Sequence, residues 1–224
     1  MIAPPVLAAQ LVRADAALRA HVTVAAALAE QQVELRLSDS PALARRVIRL
    51  LPAQLARDVT DDVLAHRELA RLTRPRPPSA FRVGPAAAAS KLRAYYTEAE
   101  RQSGIAWQVL AAVNYVESDF GRVRQSSTSG AQGPMQFLPS TWAAYGRGNV
   151  HDPHQAILGA ARFLAAAGGR ADEQAALHRY NPSWAYVDAV ERYAGRIRRS
   201  PRAFLVFYAR RLIVRTTAGY RRLN

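Results

Sequence analysis

The sequence predicts a mainly α-helical protein, and three observations carry that prediction. Apolar residues recur at three- and four-residue steps through most of the chain. Helix-start signals stand at Ser40-Pro41 and at Asp152-Pro153-His154-Gln155, where a capping side chain precedes proline at the first helical position. Strand-like alternation is confined to the C-terminal tail. With 224 residues, half of them hydrophobic, the chain can bury one good core, or one core and a smaller appendage.

Leu7, Leu11, Ala14, Leu18, Ala25, Leu28 and Leu35 fall on one narrow stripe, interrupted where His21 intervenes, and predict one long helix. Ser38-Asp39-Ser40-Pro41 stops it and starts the next, which carries Leu43, Val47 and Leu50 and breaks at Pro52. A third helix is expected from near Thr60 to about Leu72. Residues 1–73 thus form an N-terminal helical hairpin or bundle. Arg74-Pro75-Arg76-Pro77-Pro78 opens a proline-rich linker over 74–85, because proline removes backbone donors and favours extended chain. Residues 86–200 form a second helical unit. Residues 201–224 are a basic C-terminal tail expected to pack on that unit, with a strand over 204–216 where Val206, Tyr208, Leu212 and Val214 alternate.

The clearest helix covers 105–120. Ile105, Val109, Ala112, Val113, Val116 and Phe120 share one face, and Glu117 lies at its edge beside Val113 and Leu110. Gly121 ends the helix. A loop over 121–134 follows, rich in Ser, Thr, Gly and Gln, and then a short helix from Pro139. Asp152 and Asp172 start two further helices, and a last clear helix carries Tyr186, Val190, Tyr193 and Ile197.

The charge balance is 31 basic against 17 acidic residues, a formal +14. It favours anionic partners: nucleic acid, acidic lipid or anionic wall polymer. Nine arginines and no acidic residue lie between Arg196 and Asn224. The absence of cysteine excludes a disulfide framework and thiolate metal sites. No apolar run is long enough to span a membrane. Residues 1–12 lack the basic region of a signal peptide, so an export signal is expected outside this chain.

Glu117 is the first candidate for chemistry. An apolar helix face and the negative end of a helix dipole both favour the protonated carboxyl, the form a glycosidic leaving oxygen needs. The plain alternative is a surface glutamate at a helix end. The loop from Ser126 to Pro139 adds amide groups at Gln136 beside the sulfur of Met135 and the ring of Phe137, both expected to be exposed, a mixture suited to sugars. An ordinary turn with a core Met and Phe is the alternative there. His151 and His154 have a metal-like spacing without a third ligand, and no metal or cofactor is expected. Trp107, Trp142 and Trp184 are expected in the core or the cleft wall.

Three strings occur in order: Glu117-Ser118-Asp119-Phe120-Gly121, Ser129-Gly130-Ala131-Gln132-Gly133-Pro134-Met135-Gln136-Phe137-Leu138-Pro139, and Tyr180-Asn181. They resemble the Glu-Ser, Gly-x-Met-Gln and Tyr-Asn motifs of the goose-type lysozyme and soluble lytic transglycosylase superfamily, in a form similar to secreted actinobacterial members. The resemblance covers about residues 100–197 and leaves out 1–75. It departs from the usual pattern at Pro134 and Leu138, where many relatives carry Leu and Met. It implies a lysozyme-like helical catalytic domain over 86–200 that cuts peptidoglycan glycan strands outside the cytoplasm. By the same resemblance Glu117 is the lone catalytic acid/base. Ser127 bonds near it, Met135 and Gln136 line the cleft, Tyr180 and Asn181 form one wall, and Tyr186 closes the cleft from the next helix. A single carboxyl fits lytic transglycosylation, in which the sugar's own hydroxyl replaces activated water. The other possibilities are a muramidase hydrolase of the same fold and a basic non-catalytic wall- or nucleic-acid-binding protein. Specific nucleic-acid recognition is not expected, since no reading helix or stacking platform accompanies the arginines. The tail is instead expected to meet anionic wall polymer or a membrane surface.

Overall fold

The computed structural model describes residues 2–217 and 219–223. Among these, eleven α-helices and one small hairpin make up the fold: α1 Pro4–Ala20, α2 Val24–Asp39, α3 Pro41–Ile48, α4 Ala53–Leu72, α5 Ala89–Ser103, α6 Trp107–Ser118, α7 Pro139–Tyr145, α8 Pro153–Ala166, α9 Glu173–Tyr180, α10 Trp184–Arg199, α11 Arg202–Ala209, then β1 Ile213–Thr216 antiparallel to β2 Gly219–Arg222. The mainly helical prediction holds.

The single long N-terminal helix does not. The chain turns at His21–Thr23, where His21 and Thr23 are extended and the Thr23 hydroxyl accepts from Ala26 N at 3.2 Å to cap α2. The break falls where the apolar stripe has its gap, and β-branched Val22 and Thr23 resist helical continuation. The two halves fold back on each other, so that Leu7 and Leu11 meet Val33 and Leu37 while Leu18 meets Ala27. Helix α4 begins at Ala53 rather than near Thr60, because its stripe already includes Leu55 and Val59. Helix α5 begins at Ala89, three residues after its expected start.

The tail also departs from expectation. Residues 202–209 are helical, and the strand is limited to Ile213–Thr216. Val206 and Phe207 are consecutive and both buried, and Phe204 lies one turn before Phe207. An alternating strand cannot bury neighbours on one face, whereas a helix end packed into the core can.

Helix α6 is the axis of the larger core. Leu110, Ala111, Ala112 and Val113 have no accessible surface, so the helix is enclosed on every side at its middle. Helices α5, α8, α10 and α11 surround it, and Ala65 and Leu69 of α4 join the same core. The N-terminal helices are also held electrostatically. Arg196 of α10 and Arg210, which caps α11, pair with Glu30 and Glu34 of α2 and Asp62 of α4. All five side chains are buried. Farther out, Arg199 bridges Asp58 and Asp61, and Arg198 meets Glu173. Much of the positive charge at the start of the tail is thus matched internally.

Candidate active site

Glu117 is the next-to-last residue of α6, where the helix dipole disfavours a negative charge. Its half-buried carboxyl accepts from the Tyr186 hydroxyl through Oε1 at 2.8 Å. Burial pushes its pKa up to about 7, and the Tyr186 hydrogen bond works in the opposite direction. A carboxyl so placed keeps a share of its proton near neutral pH and can both give and take it.

The backbone around Glu117 is unusual. Asp119, Phe120 and Gly121 all have positive φ, at 50°, 61° and 83°. Two of the three are not glycine, so the turn is strained and must be held in place. Ser118 does this. Its hydroxyl accepts from Gly121 N at 2.8 Å and donates to Pro134 O at 2.5 Å. Asn114, one turn earlier, donates to the same carbonyl at 2.8 Å and accepts from the Tyr96 hydroxyl at 2.6 Å. Both residues are buried. Together they tie the end of α6 to the loop that carries Met135 and Gln136. Sequence reasoning did not give either residue a role. The available signal was a pair of polar residues four apart on an otherwise apolar helix, one of them beside Glu117.

The loop closes on itself by paired backbone bonds between Gln132 and Phe137, each 2.8 Å. Gly133 has φ of 75°, and a side chain there would strike the Val150 carbonyl. This turn drives Met135 and Phe137 inward, so both are buried instead of exposed as expected. Met135 contributes its carbonyl to the site: it accepts from the Tyr180 hydroxyl at 2.6 Å. Gln136 is half-buried at φ of 49°, and its amide donates to Gly133 O at 2.9 Å. The rings of Tyr180 and Tyr186 lie nearly parallel, 7° apart in plane and 6.5 Å between centroids. Glu117, Tyr186, Tyr180 and the Met135 carbonyl are therefore linked through hydrogen bonds and ring contact.

Ser127 and Asn181 sit outside that chain of contacts. The Ser127 hydroxyl is engaged within its own loop, accepting from Ala131 N and meeting Ser129 Oγ, both at 2.9 Å. Asn181 caps α9 with its backbone and is half-buried. Trp107 is buried, whereas Trp184 is 62% exposed and stacked on His178 at 4.4 Å between centroids. It stands between Asn181 and Tyr186 in sequence.

Three other carboxylates of the matched segment have partners of their own. Asp152 and Asp172 cap α8 and α9, each accepting a backbone N–H at 2.9 Å. Asp119 pairs with Arg122 at 3.2 Å. His154 meets Glu98 at 2.8 Å and stacks on Tyr95. The acidic groups close enough to share a metal among the described residues are Glu30, Glu34 and Asp62, and arginines already pair with them. No described helix is long and apolar enough to cross a membrane.

Residues 94–199 match the transglycosylase SLT domain family. A membrane-bound lytic murein transglycosylase F from Thiobacillus denitrificans is 39% identical over 74 residues, 33% of this chain and 16% of that protein. One from Pseudomonas fluorescens is 28% identical over 123 residues, 51% of this chain and 25% of that protein. A membrane-bound lytic murein transglycosylase F 1 from Alkalilimnicola ehrlichii is 35% identical over 74 residues, 33% of this chain and 15% of that protein. The chain thus spans a quarter or less of these curated relatives. No solved structure matches it. The match to the transglycosylase SLT domain encloses Glu117, the Met135–Gln136 loop and both tyrosines.

Proposed function

We propose that this protein is a peptidoglycan lytic transglycosylase, acting outside the cytoplasm, with Glu117 as its general acid and base. The observation that carries this is the carboxyl of Glu117, its pKa pushed up to about 7 by burial, bonded to Tyr186 and lying within the segment similar to the transglycosylase SLT domain. The protonated carboxyl gives its proton to the oxygen that links C1 of N-acetylmuramic acid to N-acetylglucosamine, and that bond breaks. The resulting carboxylate is stabilised by the Tyr186 hydroxyl. It then takes the proton of the muramic acid C6 hydroxyl, whose oxygen bonds to C1. The product is a 1,6-anhydro sugar, and the glutamate ends protonated as it began. The attack is intramolecular, so proximity supplies what an activated water supplies in a hydrolase.

In this reading Gln136 and the Tyr180–Asn181 wall contact the sugars, Ser127 holds the loop beside them, and Met135 acts through its carbonyl. The exposed arginines of the hairpin, Arg215, Arg221 and Arg222, hold the enzyme against anionic wall polymer or a membrane surface. The test is mass spectrometry of muropeptides released from purified sacculi by the wild type and by Glu117→Gln. Anhydro ends from the wild type and none from the variant are expected. Reducing ends from the wild type would make the enzyme a hydrolase.

A further inference from the structure

Arg192, Arg196, Arg198 and Arg199 of α10, and Arg210 beyond it, each meet a carboxylate. Three arginines elsewhere in the matched segment do not. Arg147, Arg162 and Arg170 line one concavity of about 340 Å³ between α5 and α8, and no acidic residue lines it with them. None of the three forms an ion pair among the described residues. The lining shares no residue with the surroundings of Glu117 or with the C-terminal hairpin.

Each of the three is positioned by something other than a carboxylate. Arg162 is half-buried, and its Nε donates to Tyr145 O at 2.8 Å, which orients the guanidinium and leaves its terminal nitrogens unbonded among the described residues. Burial and the nearby charge of Arg147 both lower its pKa. Arg147 stands between Gly146 and Gly148, where a side chain would strike the Trp142 ring and the Gln155 amide. Asn149 N donates to that Gln155 amide, so the turn carrying Arg147 is tied to α8. The stem of Arg170 lies across Gly104, the C-cap of α5, whose φ of 74° and missing Cβ leave space for it. Ala99 and Ala161 are buried and Leu158 is half-buried, so the floor is apolar. Glu98, one turn before the exposed Gln102, is taken up by His154 and by the Gln102 amide. Like charges gathered without an acid repel one another, and an anion entering the concavity would relieve that cost.

We infer that this concavity binds a phosphate ester, with its oxygens on the three guanidiniums and its carbon portion over the apolar floor. A carboxylate has two oxygens and is satisfied by one guanidinium fork. A phosphate monoester carries about −1.5 to −2 charge at pH 7 and offers more acceptor oxygens, so it bonds several forks at once. The same group is found on soluble or polymer-borne esters and on acidic lipid headgroups. The site does not depend on the function proposed above.

The full chain is titrated by NMR at low salt with sn-glycerol 3-phosphate and with glycerate, a carboxylate of similar size. The wild type should bind the phosphate saturably and the carboxylate at least about five-fold more weakly. Arg147→Gln and Arg162→Gln should each weaken phosphate binding by about five-fold or more. Arg45→Gln, which removes an exposed charge from α3, should leave it within about two-fold. Because Arg147 is exposed, its variant reads the site even where loss of the Tyr145 bond disturbs the fold around Arg162. Absence of saturable binding, equal binding of the two anions, or an equal loss from Arg45→Gln overturns the site, the last because net charge alone would then attract the anion. Flotation with phosphatidylcholine vesicles, with and without phosphatidylglycerol, identifies the bearer. Capture by the phosphatidylglycerol vesicles alone, lost in Arg147→Gln, assigns a lipid headgroup. Arginine-dependent phosphate binding without such capture assigns a soluble or polymer-borne ester.

Discussion

Two groups of buried acids lie within this molecule, and burial acts on both in the same direction. At Glu117 the partner is a neutral hydroxyl, so the carboxyl keeps a proton up to about pH 7. At Glu30, Glu34 and Asp62 the partners are Arg196 and Arg210. For Glu30 the two arginines win, and its pKa falls below the usual range, while burial still raises Glu34 and Asp62. The difference is one of use. A neutral partner leaves a proton free to move, whereas a charged partner fixes two elements together.

Substituting one member of each group should expose the contrast. Glu117→Gln should reduce cleavage by about 10²–10⁴-fold, because the amide keeps the shape and cannot transfer the proton. It should also stabilise the fold at high pH. The folded pKa lies above the ordinary 4.5, so the folded state holds an extra proton between about 4.5 and 7, and the native glutamate costs stability as pH rises through that window. Above pH 7 the variant should gain on the order of 1–3 kcal/mol, and at pH 4 nothing. Denaturant melts at the two pH values check this, and equal stability at pH 8 would mean that the carboxylate is well solvated.

Arg196→Met should do the opposite. It leaves buried carboxylates short of a cation and should cost about 3–5 kcal/mol at pH 7. The loss should shrink as the pH falls and the stranded acids take protons. A melt showing little loss at pH 7 would mean that the N-terminal helices are held by their apolar contacts alone.

How far the sequence revealed each region follows from the same contrast. Glu117 and Gln136 stood out in the sequence because each lies in a local string, and Glu117 also sits at the edge of a helical face; Tyr186 lies in no such string and came only with the resemblance. Tyr186 was expected to close the cleft, and in the structure its hydroxyl bonds Glu117. The arginine–acid cluster was not legible. Arg196 and Asp62 stand 134 residues apart, and no periodicity encodes such a pairing. Arg196 and Arg210 read as part of a basic tail when they are buried structural cations. The break at His21–Thr23 was visible only as a gap in a stripe, and α11 was mistaken for a strand because short apolar runs fit either period. Met135 was misplaced because the inward turn depends on the contact of Gly133 with Val150, which lie 17 positions apart.

A smaller effect should follow at Tyr186. Tyr186→Phe removes the hydrogen bond that lowers the Glu117 pKa, so that pKa should rise from about 7 to a higher value. A hydrogen bond to a charged group contributes about 1.5–3 kcal/mol, so the alkaline limb of kcat/KM against pH should move up by about one to two units. Turnover below pH 7 should fall about ten-fold as the carboxylate loses support. An unmoved alkaline limb would detach Tyr186 from the reacting group.

The mildest effect should come from the hairpin. Arg215, Arg221 and Arg222 are exposed, unlike Arg196 and Arg210. The hairpin itself is anchored: Tyr220 donates to Asp39 at 3.0 Å, and Arg211 N and Gln31 bond each other's acceptors at 3.2 and 2.9 Å. Replacing the three exposed arginines with glutamine therefore removes surface charge and leaves those anchors in place. Attraction to anionic wall polymer should fall, and with it the salt dependence of binding, since exposed charges act across roughly 10 Å at 0.1 M salt. Turnover on a short soluble glycan should stay within about two-fold of the wild type, as surface substitutions rarely disturb a packed fold. Co-sedimentation with purified wall at low and high salt, beside the soluble assay, separates the two effects. A collapse of soluble turnover in a folded variant would place the hairpin's charges in the catalytic site, and the division between fixed cations inside and attractive cations outside would fail.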